Sequence, residues 1–153
     1  MKVHVLKREQ RLPIPRQAAW DFFSTPRNLD HITPPDAGFD VTYLSSEKMY
    51  DGQIITYKVK VVPFITMSWV TEIKCVEEGI AFVDEQRFGP YRLWHHRHTF
   101  EEIDGGVLMT DLVHYVMPLG IIGEIARCLF VGRKLEKVFD YRRKVLEEKF
   151  GKM

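Results

Sequence analysis

The sequence predicts an α+β fold of helix-grip type. A curved antiparallel sheet of six to seven strands wraps around a long C-terminal helix, in the order β-α-α-β6-α. Two observations carry this. Apolar and polar residues alternate with period two through most of the middle of the chain, and about thirty residues of helical period follow Pro118-Leu119-Gly120. A helix with one apolar stripe cannot bury it alone, and the concave face of a bent sheet is its natural partner. Strands this long twist and curl, leaving between sheet and helix the kind of space in which small-molecule pockets form.

Residues 2–12 read as the first strand, with Val3 and Val5 as apolar positions and Pro13 and Pro15 ending it. A short helix carrying Ala18, Ala19, Trp20, Phe22 and Phe23 comes next. Thr25-Pro26 then reads as the start of a second helix, with Thr as cap and Pro at the first helical position, stopped by Pro34-Pro35. Strands follow at about 38–46, 53–62, 66–77, 80–87, 91–103 and 106–117. Ile55, Tyr57, Val59 and Val61 share one face against Lys58 and Lys60 on the other, and Met67, Trp69, Thr71, Ile73 and Cys75 form a second apolar row. The expected stripe of the C-terminal helix is Ile122, Ile125, Leu129, Leu135, Val138, Phe139, Val145 and Leu146. Gly123 and Gly132 loosen its first half or permit close approach to the sheet.

The 153 residues suit one domain spanning 1–153 with a sizeable core. Lys and Arg number 22 against 21 Asp and Glu, so no basic field exists to select a nucleic acid. The N-terminus alternates rather than forming the apolar core of a signal peptide, and no run reaches the length of a membrane span, so no stable membrane insertion is expected. Cys75 and Cys128 have no paired spacing and read as buried apolar thiols, in keeping with a cytoplasmic location. No phosphate loop or nucleophile elbow is present, and no cofactor is expected.

The chemistry concentrates between Phe82 and Pro118. Asp104-Gly105 suits a two-residue type I′ hairpin. Counting back from it sets Phe100 opposite Met109, His98 opposite Asp111, His96 opposite Val113 and Trp94 opposite Tyr115, all on one face. His95, Arg97, Glu102, Thr110 and His114 share the other, wet face. A buried His98–Asp111 pair admits three readings: a satisfied polar pair in a ligand cavity, acid–base chemistry with His98 as the proton carrier, or a metal site with His96. A His-x-His pair on a strand has no further marker here, so no metal site is expected. Asp84 and Gln86 share a strand face, and the Gly89-Pro90 turn leaves open whether they face the cavity.

Phe23 through Asn28-Leu29, Ile32-Thr33-Pro34-Pro35, Phe82-Val83-Asp84-Glu85-Gln86, Gly89-Pro90-Tyr91 and Trp94-x-His96-x-His98-x-Phe100 form a set of motifs. Asp111-x-Val113-x-Tyr115, Pro118-x-Gly120 and Phe139-Asp140-Tyr141-Arg142 complete it. By these motifs, over nearly the whole chain, the sequence resembles the SRPBCC family of the START/Bet v 1-like superfamily, in its polyketide cyclase/dehydrase and lipid-transport-like branch. The resemblance implies the helix-grip fold and a hydrophobic ligand, such as a lipid, sterol or polyketide. It implies no NAD, because the dinucleotide fingerprint of fused relatives is absent.

The leading expectation is a carrier or sensor of a hydrophobic or aromatic small molecule. Its expected contacts are Tyr57, Trp69, Trp94, His96, His98, Phe100, Asp111, Val113, Tyr115, Leu129 and Phe139. The alternative is a cyclase/dehydratase-like enzyme, with His98 as acid or base, Asp111 orienting it, and His96 or Tyr115 assisting. A third reading is a protein-interaction module evolved from a binding fold and pairing through an exposed edge strand, and a homodimer is a further expectation.

Overall fold

In the computed structural model, which describes residues 1–62 and 64–153, the seven expected strands form one antiparallel sheet. They are β1 (His4–Leu12), β2 (Asp40–Leu44), β3 (Ile54–Val62), β4 (Ile65–Glu77), β5 (Ala81–Phe88), β6 (Leu93–Ile103) and β7 (Gly106–Val116), in the spatial order β1-β7-β6-β5-β4-β3-β2. Two short helices, α1 (Arg16–Phe23) and α2 (Asn28–His31), and a 3-10 turn at Pro35–Ala37 separate β1 from β2. The C-terminal segment is α3 (Gly120–Ala126), a π turn at Arg127–Val131, and α4 (Gly132–Phe150).

The hairpin count holds residue for residue: Phe100 pairs Met109, His98 pairs Asp111, His96 pairs Val113, and Trp94 pairs Tyr115. The turn itself is not type I′. Gly105 takes the left-handed backbone (φ 78°), whereas Asp104 does not, and a type I′ turn needs it at both positions. Two loop residues fix the register whichever turn joins them. Alternation then buries Trp94, His96, His98 and Phe100 on β6 and Met109, Asp111, Val113 and Tyr115 on β7.

α4 supplies the gripped element. Leu135, Phe139, Arg142 and Leu146 are its buried residues, at spacings of four, three and four that keep them on one face. Leu146 is fully buried, and each such apolar side chain contributes about 1.5–3 kcal/mol. The helix is also tied by hydrogen bonds. Gln10 of β1 donates to the Arg143 carbonyl at 3.0 Å, Arg143 donates to the Glu9 carbonyl at 2.6 Å, and Lys134 donates to the Val61 carbonyl of β3 at 3.1 Å. On the other side of the core Trp20 of α1 meets Phe82 and Phe100 edge-on, each at 5.9 Å between centroids.

Four expectations need correction. First, the helical stripe does not extend through its first half: Ile122, Ile125 and Leu129 are exposed. Six residues at about 100° each set Leu129 some 120° around the axis from Leu135, so the two never shared a face. The wide π turn between them interrupts the helix further. Gly123 permits close approach, but to the chain entering the helix, since a Cβ there would lie 1.8 Å from the Pro118 carbonyl oxygen. Second, Cys75 and Cys128 are both exposed. The register shifts between Lys74 and Glu77, Cys75 adopts φ 51°, and the bulge turns its side chain outward while Val76 packs on the core. Third, Thr25 does not cap α2: its hydroxyl donates back to the Asp21 carbonyl at 2.8 Å. That helix begins only at Asn28. Fourth, His95 and His114 of the outer face are half-buried rather than fully wet.

Phe100→Ala removes the ring on which Trp20 and Phe23 pack, and is expected to destabilise the fold by about 3–5 kcal/mol in urea unfolding. A loss below about 1 kcal/mol would contradict this core assignment.

Candidate functional site

The sheet, α1, α2 and α4 enclose a cavity of about 660 Å³. Its wall is mainly apolar and aromatic, drawn from Phe22, Phe23, Leu29 and Ile32 near the N-terminus, Ile55, Tyr57, Val59 and Trp69 of β3 and β4, and Leu135, Val138 and Phe139 of α4. Lys60, Leu119 and Phe130 line it and are exposed, which marks where it opens. Among the described residues no helix is long and apolar enough to cross a membrane.

Of the residues expected at the ligand, Tyr57, Trp69, Trp94, His96, His98 and Phe139 line the cavity. Phe100 does not: it is packed under α1. Val113 and Tyr115 lie in the core formed by Leu6, Trp94, Met117, Leu135 and Phe139. Leu129 lies on the solvent side of the π turn, for the helical-phase reason above. Asp111 is behind the histidines, shielded from the cavity.

The polar cluster has one more carboxylate than the hairpin alone supplies. Asp84 of β5 pairs with His96 of β6 and faces the cavity, resolving its orientation. Gln86 instead closes the β5–β6 turn: its amide donates to the Tyr91 carbonyl at 2.7 Å and accepts from the Tyr91 N–H at 3.2 Å. The His98–Asp111 pair is rearranged. His98 Nε2 bonds Asp84 Oδ2 at 2.6 Å, and His96 Nε2 bonds Asp111 Oδ1 at 2.8 Å. Each bond runs to a diagonal neighbour across the strands, a distance that long side chains reach. His98 Nδ1 approaches Asp111 Oδ1 at 3.0 Å but is poorly aligned and makes no hydrogen bond. The two imidazoles face each other with centroids 3.8 Å apart and planes tilted by 34°, a carboxylate on either side.

Two supports complete the cluster. Trp94 Nε1 donates to Asp84 Oδ1 at 3.2 Å, holding that carboxylate's outer oxygen. Arg142 of α4 places Nη1 3.7 Å from Asp111 Oδ1 and its guanidinium 4.9 Å from the centre of the Phe139 ring. Sequence reasoning missed Arg142, although its place in the 135–139–142–146 spacing was the available signal. Burial disfavours a charged His96, but Asp84 and Asp111 outweigh it and push its pKa up to about 9. Burial likewise opposes ionisation of both aspartates, and His96 and His98 overcome it, holding them well below the usual carboxylate range. Asp84, His96 and His98 also bring one ligand atom each within 4.8 Å of one another, a set able to hold a metal.

The charge pattern gives a signed prediction for protein freed of metal with a chelator. The stabilisation from charged His96 is fully present below its ordinary pKa of 6.5 and is lost as pH rises through about 9. That from the two carboxylates is present above their ordinary 3.8 and is lost as pH falls through their depressed values. The melting temperature should therefore decline between pH 6.5 and 9, and His96→Gln should flatten that decline. An equal slope in both proteins would refute the assignment.

No protein-family model matches the chain, and no curated protein matches it. Solved structures do. TTHA0849 from Thermus thermophilus is similar at 15% identity and a TM-score of 0.74, over 96% of this chain and 97% of that one. Major latex-like protein 151 from Panax ginseng is similar at 13% and 0.69, over 97% of each chain. A Thalictrum norcoclaurine synthase mutant, solved with a transition-state analogue, is similar at 13% and 0.68, over 97% of this chain and 96% of that one. The architecture is thus the Bet v 1-like helix-grip fold.

Proposed function

We propose that the chain is a carrier or sensor that binds a hydrophobic or aromatic small molecule in the cavity between the sheet and α4. The observation that carries this is a roughly 660 Å³ space with an aromatic and aliphatic wall. That volume lies in the usual range for small-molecule pockets, and few polar groups converge on it. Tyr57, Trp69, Trp94 and Phe139 would supply the apolar contacts, while His96, His98 and Asp84 form the polar patch that orients one end of the ligand.

A second reading is favoured by that patch. Asp84 and His98 share a 2.6 Å hydrogen bond in the cavity wall. Such a pair can move a proton to or from a bound ligand, as in a cyclisation or dehydration. Asp84 rather than Asp111 then works with His98, because Asp111 is shielded from the cavity. The norcoclaurine synthase of the same fold was solved with a transition-state analogue, so the fold accommodates catalysis.

Fluorescence titration with 1-anilinonaphthalene-8-sulfonate, followed by competition with fatty acids, sterols and polycyclic aromatics, tests the binding reading. Saturable binding with one site per chain is expected, weakened about tenfold by Trp69→Ala and abolished by Val138→Trp, which fills the cavity. Binding unchanged in the Val138→Trp protein would overturn it. Should a bound compound be converted, His98→Ala is expected to slow turnover by about 100-fold or more. Unaltered turnover would remove the enzymatic reading.

A further inference from the structure

The two histidines have a carboxylate on each side, and the two sides differ. Toward the cavity, His96 Nδ1 lies 3.3 Å and His98 Nε2 lies 2.6 Å from the same oxygen, Asp84 Oδ2. Away from it, His96 Nε2 and His98 Nδ1 both approach a single oxygen of buried Asp111, at 2.8 and 3.0 Å. A polar pair needs one carboxylate for its histidine. Here one carboxylate fronts the cavity, and a second, almost inaccessible to solvent, backs both rings.

We propose that Asp84, His96 and His98 form a binding site for a divalent transition metal, with Asp111 as the carboxylate that holds His96 from behind by a hydrogen bond and lies 3.0 Å from His98 Nδ1. Two imidazole nitrogens and a carboxylate oxygen suit zinc, iron(II) or cobalt(II), and three protein ligands leave the remaining positions open. Those positions face the cavity, which Asp84, His96 and His98 all line. Metal-bound histidines commonly give their other N–H to a carboxylate, and Asp111 takes that bond from His96 Nε2 at 2.8 Å. Trp94 Nε1 occupies Asp84 Oδ1 at 3.2 Å, leaving Oδ2 as the coordinating atom.

Two of the three ligand separations fit with little movement, and the two imidazole nitrogens lie within 4.8 Å of each other. Metal–ligand bonds of about 2.1 Å set neighbouring ligand atoms about 3.0–3.4 Å apart in octahedral to tetrahedral geometry. The His96–Asp84 separation of 3.3 Å already meets this, and the 2.6 Å His98–Asp84 separation opens by less than about 1 Å as the metal replaces the hydrogen bond. The charges balance too. A dication beside Asp84, with Asp111 behind His96, is matched by two carboxylate charges, and Arg142, which also lines the cavity, lies 3.7 Å from Asp111. The site needs no organic ligand, so it stands or falls apart from the proposed function.

Cobalt(II) titrated into chelator-stripped protein tests this, followed by visible absorption and calorimetry. One equivalent should bind with ligand-field bands in the visible range. Asp84→Ala and His98→Ala should each weaken binding about 100-fold, and Asp111→Asn about 10- to 100-fold. His98→Gln, closer in volume, serves if an alanine variant does not fold by circular dichroism. The control removes the other histidine pair, His95 and His114 of the outer face, whose rings are 6.2 Å apart. His95→Ala with His114→Ala should leave the titration unchanged. Absence of binding, binding unaffected by Asp84→Ala, or binding lost with the outer pair would overturn the proposal.

Discussion

Asp104 and Gly105 join β6 to β7 with a two-residue loop, and the register it sets decides which side chains face the cavity. Because strand side chains alternate and paired residues share a face, a slip of one residue between β6 and β7 would put His96 and His98 on one face and Asp111 on the other. Trp94 and Phe100 of β6 would likewise be parted from Val113 and Tyr115 of β7, with which they are now buried. The aromatic core under α1 and the polar cluster thus depend on the same count. β5 joins the arrangement by setting Asp84 opposite His96, which converts a two-strand pair into a three-strand cluster.

An ionised cluster within an apolar wall is costly, and the fold offsets that cost by alternating charge. Asp84, charged His96 and Asp111 follow one another across the cluster, and Arg142 of α4 stands 3.7 Å from Asp111. Removing one member leaves its neighbour buried without a partner, a far larger penalty than the worth of the pair itself. This couples the site to the fold: Arg142 reaches Asp111 only because Leu135, Phe139 and Leu146 seat their face of α4 on the sheet. The helix that closes the cavity therefore also completes the electrostatics of its floor.

The sheet was legible because its information is local. Period-two alternation and an Asp-Gly turn require only neighbouring residues, and they sufficed for all seven strands and the β6–β7 pairing. What escaped depends on geometry beyond one hairpin. Diagonal pairing of His96 with Asp111 and His98 with Asp84 turns on side-chain reach, not on which residues stand opposite. Asp84 stayed open because the longer β5–β6 connection, closed by Gln86 on Tyr91, sets no simple count. Cys75 was misplaced by a bulge and Leu129 by a helical phase error beside a π turn, each a departure from ideal periodicity. Arg142 stood in the buried spacing of α4, where a charged residue reads as an interruption rather than as a partner for a distant aspartate.

A double-mutant cycle tests the diagonal network most directly. The stabilities of His96→Ala, Asp111→Asn and the combined variant, from urea unfolding, give the coupling between the two groups. The account predicts non-additivity of about 1–3 kcal/mol for His96 with Asp111, and a smaller coupling for His98 with Asp111, whose approach makes no hydrogen bond. Additivity for His96 and Asp111, or a larger coupling for His98, would contradict it.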